Sequence, residues 1–199
     1  MILYIHGFAS SGLGAKARTV REYFGAESLA PSLSHIPELA IDTLTQIVEQ
    51  ARRLHEPVGL IGSSLGGFYA LRLAERFGLP AVLINPSIRP WETLAAQTGT
   101  GTHYYDGARF EWSPKHVESL KKYRVTPTQQ DRYLLMLQTG DEVLDYRIAL
   151  DALPGARRIV EEGGDHTFVG FETHLPEIET FLRRHARRPG PTERVGAES

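Results

Sequence analysis

Apolar residues in this chain follow two rhythms. Short unbroken runs occur at Ile2-Leu3-Tyr4-Ile5, Val58-Gly59-Leu60-Ile61, Ala81-Val82-Leu83-Ile84 and in the Leu134 to Leu137 heart of Tyr133 to Gln138. Runs of that length and continuity suit strands buried on both faces of a parallel sheet. Elsewhere the apolar positions recur at three and four. Leu44, Ile47, Val48 and Ala51 mark an amphipathic helix that opens at Pro37 and continues to about Leu54, proline being suited to a first helical turn. Val20, Tyr23 and Phe24 share one face of a helix from Ala15 to Phe24, and Gly25 stands just past its end. Phe68, Leu71 and Ala74 mark a third helix that runs to Arg76 or Phe77 and is ended by Gly78 and Pro80. Weaker patterns add strands at Glu27 to Ala30 and Arg157 to Glu161, and helices at Tyr146 to Leu153 and from Pro176 to about His185. Strands alternating with helices predict the α/β class, with a mostly parallel sheet flanked by helices and right-handed crossovers.

One segment breaks the alternation. From Ile88 to about Asp131 the chain turns to Gly, Thr, Tyr and charged residues, with a helix expected only near Pro114 to Lys122. Long irregular insertions in compact domains are typically binding loops or lids. Its aromatics, Trp91, Tyr104, Tyr105, Phe110 and Trp112, either line a substrate pocket or pack the segment down. Trp91 and Trp112 are the candidate substrate contacts. The expected organisation is one domain over residues 1–186, with a cap-like insertion at about 88–131. Residues 187–199, polar and rich in Pro and Gly, read as a disordered tail.

Composition narrows the function. The 199 residues carry a formal net charge of −2, so no general basic field favours nucleic acid. Arg183, Arg184, Arg187 and Arg188 cluster, but cations at a helix C-terminus complement its dipole. No apolar run approaches the roughly 20 residues of a membrane helix, and a strand beginning at Ile2 leaves no room ahead of it for a signal peptide. With no cysteine, disulfides, thiolate metal sites and cysteine nucleophiles are excluded, which fits a cytoplasmic protein. No metal-binding or cofactor-binding motif competes for the chemistry, so neither a metal nor a cofactor is expected.

The chemistry gathers where strands end. Val58 to Ile61 runs into Gly62-Ser63-Ser64-Leu65-Gly66, which fits G-x-S-x-G in one frame only, with Ser64 at its centre. Between a strand and a helix this motif is a nucleophile elbow, a strained turn that lifts the serine hydroxyl clear of the sheet. It leaves the Leu65 N–H at a helix N-terminus, ready to donate to an oxyanion. Ile2 to Ile5 runs into His6-Gly7-Phe8-Ala9-Ser10-Ser11, a small-residue loop where the Phe8 N–H is the candidate second donor. His6 is either a base or a brace for that loop. Asp141 follows the strand ending at Gln138, and His166 follows the strand ending at Glu161. The order Ser64, Asp141, His166 is that of a hydrolase triad built on an open parallel sheet. Asp141 is preferred to Asp145, one helical turn further from the strand end, and to Asp165, whose side chain points away from that of its neighbour His166.

Five blocks together resemble one family, the YqiA-like esterases of the α/β-hydrolase superfamily. They are His6 to Ser11 with Lys16-Ala17, Gly62 to Gly67, Asn85-Pro86-Ser87-Ile88-Arg89-Pro90, Thr139 to Tyr146, and Glu162 to His166, spread over about Met1 to His185. The resemblance implies a compact α/β-hydrolase fold with six strands in the spatial order 2-1-3-4-5-6. It implies a small cytoplasmic serine carboxylesterase acting on acyl esters, with acyl thioesters of coenzyme A as the alternative substrate. Ser64, Asp141 and His166 match its triad. A ligand-binding protein without catalysis, on the same fold, is the reading from another class. The segment from Trp91 to Arg132 departs most from the family, and neither substrate identity nor oligomeric state is legible.

Overall fold

A computed structural model describes residues 1–186, so the expected tail at 187–199 lies outside the described residues. Six parallel strands form the main sheet: β1 (Ile2–Ile5), β2 (Ser28–Leu29), β3 (Gly59–Ser63), β4 (Ala81–Ile84), β7 (Tyr133–Gln138) and β8 (Arg157–Glu161). Their spatial order is β2-β1-β3-β4-β7-β8, the expected 2-1-3-4-5-6 once the two strands of the insertion are set aside. Helices α1 (Ala15–Phe24), α2 (Pro37–Arg53), α3 (Leu65–Phe77) and α6 (Tyr146–Ala152) lie in the connections, and α7 (Leu175–Ala186) follows the last strand.

Alternation along each strand divides the core into two layers, as the period of two requires. Leu3, Ile5, Leu60, Leu83, Leu135 and Leu137 point toward α2 and α3, where Leu44, Val48, Phe68 and Leu73 meet them. Ile2, Tyr4, Ile61, Val82, Leu134 and Met136 point the other way, onto Val20 of α1 and Ile178 and Phe181 of α7. Burial on both faces is why these strands read as continuous apolar runs. The two edges are protected differently. β2 is two residues long, and β8 is mostly exposed and carries Arg157, Arg158 and Glu161, devices that discourage pairing with another chain.

The insertion is more ordered than its sequence predicts. After a short helix α4 (Pro90–Thr93), strands β5 (Gly99–Thr102) and β6 (Arg109–Trp112) pair as an antiparallel hairpin, and α5 (Pro114–Leu120) follows. Gly99-Thr100-Gly101-Thr102 offers no apolar residue, and Arg109-Phe110-Glu111-Trp112 alternates for only two cycles, too little signal to predict a strand. The hairpin's stability comes from tertiary packing. Phe110 and Trp112 are buried and stack edge-on against Phe8 at 5.6 and 4.9 Å. Phe110 also lies across Gly101, where a Cβ would strike its ring. Past the β5 end, the Tyr104 N–H bonds the Ala9 carbonyl at 2.9 Å, tying the hairpin to the loop after β1. Among the described residues, no helix is long and apolar enough to cross a membrane.

Candidate active site

The turn between β3 and α3 sets the position of Ser64. Its φ of 55° and ψ of −121° put a non-glycine residue in a sparsely populated region, a strain that persists only where the surroundings enforce it. Here they do. The Ser64 N–H bonds the Ile84 carbonyl of β4 at 3.0 Å, and the Ser64 carbonyl accepts from Gly67 and Ser87 at 2.9 and 3.0 Å. The flanking glycines are required by close approach. A Cβ on Gly62 would run into the Gly66 carbonyl, and one on Gly66 would run into the Ile5 carbonyl of β1. Ser63, by contrast, ends β3 buried.

Three predicted residues form one hydrogen-bonded chain across 102 positions of sequence. Ser64 Oγ stands 3.0 Å from His166 Nε2. On the other side of the ring, His166 Nδ1 meets Asp141 at 2.9 Å to Oδ1 and 2.8 Å to Oδ2. The Asp141 side chain is 2% exposed and that of His166 20%, so the chain opens to solvent at the serine end. Asp141 Oδ1 also accepts the backbone N–H groups of Val143 and Leu144 at 2.9 and 2.8 Å. Burial alone raises a carboxyl pKa. At Asp141 the His166 hydrogen bond and these two backbone donors outweigh it, and the pKa is lowered. The carboxylate is therefore charged and accepts the Nδ1–H, which leaves Nε2 free to accept from the Ser64 hydroxyl.

Phe8 and Leu65 border the same cavity of about 480 Å³ as Ser64 and His166. Leu65 is the first residue of α3, a position whose N–H has no intrahelical acceptor. His6 takes the bracing role. It accepts from the Leu33 N–H at Nε2 and donates from Nδ1 to the Gly7 carbonyl, at 2.9 and 2.8 Å. Burial lowers its pKa and favours that neutral, fully bonded ring.

The two tryptophans are a correction. Trp112 is fully buried and donates its indole N–H to the Leu94 carbonyl at 3.0 Å. Trp91 packs at 6.1 Å from the Phe68 ring with the Arg124 guanidinium over its face. Neither lines the cavity. The insertion contributes Thr93, Leu94, Gln97 and Tyr104 instead, and the loop after Asp141 adds Val143 and Leu144. Large aromatics in a loop of little regular pattern look like pocket walls in sequence, yet Trp112 is consumed in holding the hairpin down.

Sequence reasoning also missed the groups that hold His166. Asn85, 2% exposed, donates to the Asp165 and His166 carbonyls at 3.0 and 3.2 Å and accepts from the Gln138 N–H at 3.0 Å. Gln138, 3% exposed, accepts the Asp165 and Val169 N–H groups at 3.1 and 2.9 Å. Glu142 accepts the His166 N–H at 3.0 Å. Their signal was available, since a lone amide at the end of an apolar strand is a buried polar group that needs partners. Among the described residues, no group of three or more His, Cys, Asp or Glu side chains is arranged to hold a metal ion.

An open parallel sheet in this strand order, with a serine elbow after its third strand, defines the α/β-hydrolase fold. Solved structures share it. The chain is similar to Est1E from Butyrivibrio proteoclasticus, solved with ferulic acid bound, with a TM-score of 0.68 and 13% identity over 94% of this chain and 89% of the other. It is similar to the esterase domain of a Rhodothermus marinus protein, with a TM-score of 0.64 and 18% identity over 94% and 86% of the two chains. Within that fold, the chain belongs to UPF0227, described as an uncharacterised protein family, whose model matches residues 1–183. Relatives include UPF0227 proteins of Shewanella sp. (strain ANA-3), 28% identical over 186 residues, and of Serratia proteamaculans (strain 568), 27% identical over 190. Each of these two alignments covers 91% of this chain and 98% of the relative.

Proposed function

We propose that this protein is a serine carboxylesterase that hydrolyses acyl esters through an acyl-enzyme, with Ser64 as nucleophile, His166 as general base and acid, and Asp141 as the anion behind it. The observation that carries the reading is the unbroken chain from Ser64 Oγ through both His166 ring nitrogens to a buried carboxylate. A ligand receptor on this fold has no use for a strained serine aligned with a base.

The Ser64 hydroxyl attacks the ester carbonyl while its proton passes to His166 Nε2. The negative charge that forms on the carbonyl oxygen is met by the Phe8 and Leu65 N–H groups. Asp141 stabilises the imidazolium, and His166 then gives its proton to the departing alcohol. Water repeats the sequence on the acyl-enzyme, with His166 again taking a proton, and releases the acid. No step calls on a cofactor. A thioester would react through the same groups with a thiol as the leaving group. The test is labelling by an alkylfluorophosphonate together with turnover of p-nitrophenyl butyrate. Label should appear on the peptide carrying Ser64, and Ser64→Ala should abolish both labelling and turnover. Undiminished hydrolysis by folded Ser64→Ala would end the esterase reading.

A further inference from the structure

Lys16 lies on the wall of the Ser64 cavity, in the first turn of α1. Among the lining residues it is the one lysine or arginine, and none is an aspartate or glutamate. Its ammonium takes part in none of the ion pairs within 4.0 Å found among the described residues. Burial lowers the Lys16 pKa, and the charge of Asp165 opposes that with a smaller effect. Asp165 does not border the cavity, and its Oδ1 is engaged by the Thr167 N–H and hydroxyl at 2.8 and 2.6 Å. A half-buried ammonium without a close counter-ion is unfavourable unless something compensates it. The hydroxyl residues Ser10 and Ser11 share this wall. The first turn of α1 adds no acidic side chain to it. Ala15 and Ala17 flank Lys16 on α1, and the rest of the hydrocarbon lining comes from Tyr4, Phe8, Leu65, Leu94, Val143 and Leu144.

We propose that Lys16 is a specificity-determining residue that binds an anionic group, a carboxylate or a phosphate, on the ester whose carbonyl is attacked at Ser64. The proposal rests on the esterase reading and adds the charge of the substrate to it. The competing role is structural, with Lys16 merely offsetting Asp165. That role predicts a loss of stability and an equal effect on neutral and anionic substrates.

Two matched pairs of esters separate these roles and the two sources of the anion. Mono-p-nitrophenyl glutarate and p-nitrophenyl valerate differ only in a terminal carboxylate on the acyl side. 2-Phosphoethyl butanoate and 2-hydroxyethyl butanoate differ only in a phosphate on the alcohol side. The wild-type protein should favour the anionic member of at least one pair about tenfold or more in kcat/KM, the scale of a charge-assisted hydrogen bond. Lys16→Gln should erase that preference through KM, with kcat and the neutral ester changed less than about threefold, and Lys16→Arg should retain most of it. Lys16→Met provides a second neutral variant if Lys16→Gln melts early. No preference in either pair, or a preference that survives removal of the charge, overturns the proposal. Calorimetric binding of mono-p-nitrophenyl glutarate and of 2-phosphoethyl butanoate to Ser64→Ala, with and without Lys16→Gln, needs no turnover. If the wild-type protein turns over no ester, binding of either that depends on Lys16 would defeat the esterase reading and leave the anion site standing. If neither binds in a way that depends on Lys16, the anion site fails.

Discussion

Replacing Asp141 by Asn removes one charge and almost no volume, and the surroundings dictate what happens next. Oδ1 of Asp141 is held by the Val143 and Leu144 N–H groups at 2.9 and 2.8 Å. The amide oxygen of the introduced asparagine must take that place, since an NH₂ there would face two donors. The new NH₂ group then points at His166 Nδ1 from the position where Oδ2 now lies at 2.8 Å. Donor would meet donor unless the imidazole shifts its proton to Nε2. A ring protonated at Nε2 cannot accept from Ser64. The corresponding change in a serine protease lowers turnover about 10⁴-fold. For Asp141→Asn we expect a loss of roughly 10²–10⁴ in kcat, equivalent to about 2.7–5.4 kcal/mol of barrier. The assay is steady-state hydrolysis of p-nitrophenyl butyrate, with near-native circular dichroism and an unfolding midpoint as the folding check. Asp165→Asn and Asp145→Asn serve as controls and should stay within about tenfold of wild type. Asp145 caps α6 through the Arg147 N–H at 3.0 Å, a bond that the side-chain oxygen of asparagine accepts equally well, so its change should leave stability near that of wild type. A folded Asp141→Asn protein that keeps more than a tenth of wild-type kcat, or a larger loss at either control, refutes the tautomer argument.

Three further outcomes follow from the same structure. Trp112→Ala should destabilise by about 3–5 kcal/mol in urea unfolding, from the vacated core volume, and leave the ranking of acyl chain lengths unchanged. Leu94→Ala or Leu144→Ala, which touch the cavity, should change that ranking. Asp141 also sets an acid limit on stability. Its folded pKa is lowered, so its ionisation stabilises the fold fully above the unfolded value of about 3.9 and progressively less as pH falls through the lower folded value. Urea midpoints of wild type and Asp141→Asn should therefore converge as pH falls from about 5 to 3; a gap that stays constant over that range would contradict the shift.

The main sheet was legible because its four central strands are buried on both faces and its helices on one, so that each of these elements carries its own period. The predicted bounds of β4, β7, β8 and α1 match the structure residue for residue. Even the two-residue β2, the weakest pattern, falls within the expected Glu27 to Ala30. The hairpin was not legible. Its register is fixed by contacts far away in sequence, above all Phe8 against Phe110 and Trp112, and no local alternation of four residues can announce such contacts. Trp112 was misjudged for the same reason. Local sequence shows that a tryptophan is present, not whether its indole N–H finds a carbonyl inside the fold.

The three proposed catalytic side chains could be proposed from sequence because each lies in the segment that follows the C-terminal end of a strand. What holds them there could not, because it is distributed. His166 lies on a loop whose backbone is tied by Asn85 from the end of β4, by Gln138 from the end of β7 and by Glu142 beyond it. Asn85 and Gln138 are also bonded to each other, the Gln138 N–H donating to Asn85 Oδ1 at 3.0 Å. The ends of two neighbouring strands and the histidine loop thus form one buried polar network. In such a network, removal of one member leaves its partners' donors or acceptors unmet. The consequence is that the position of His166 relative to Ser64 is set by the sheet itself. Ser64 N–H is bonded to Ile84, the residue before Asn85. One backbone step of β4 therefore carries the anchor of the serine elbow and the anchor of the histidine loop, which couples the two ends of the 3.0 Å Ser64–His166 contact through a single rigid strand.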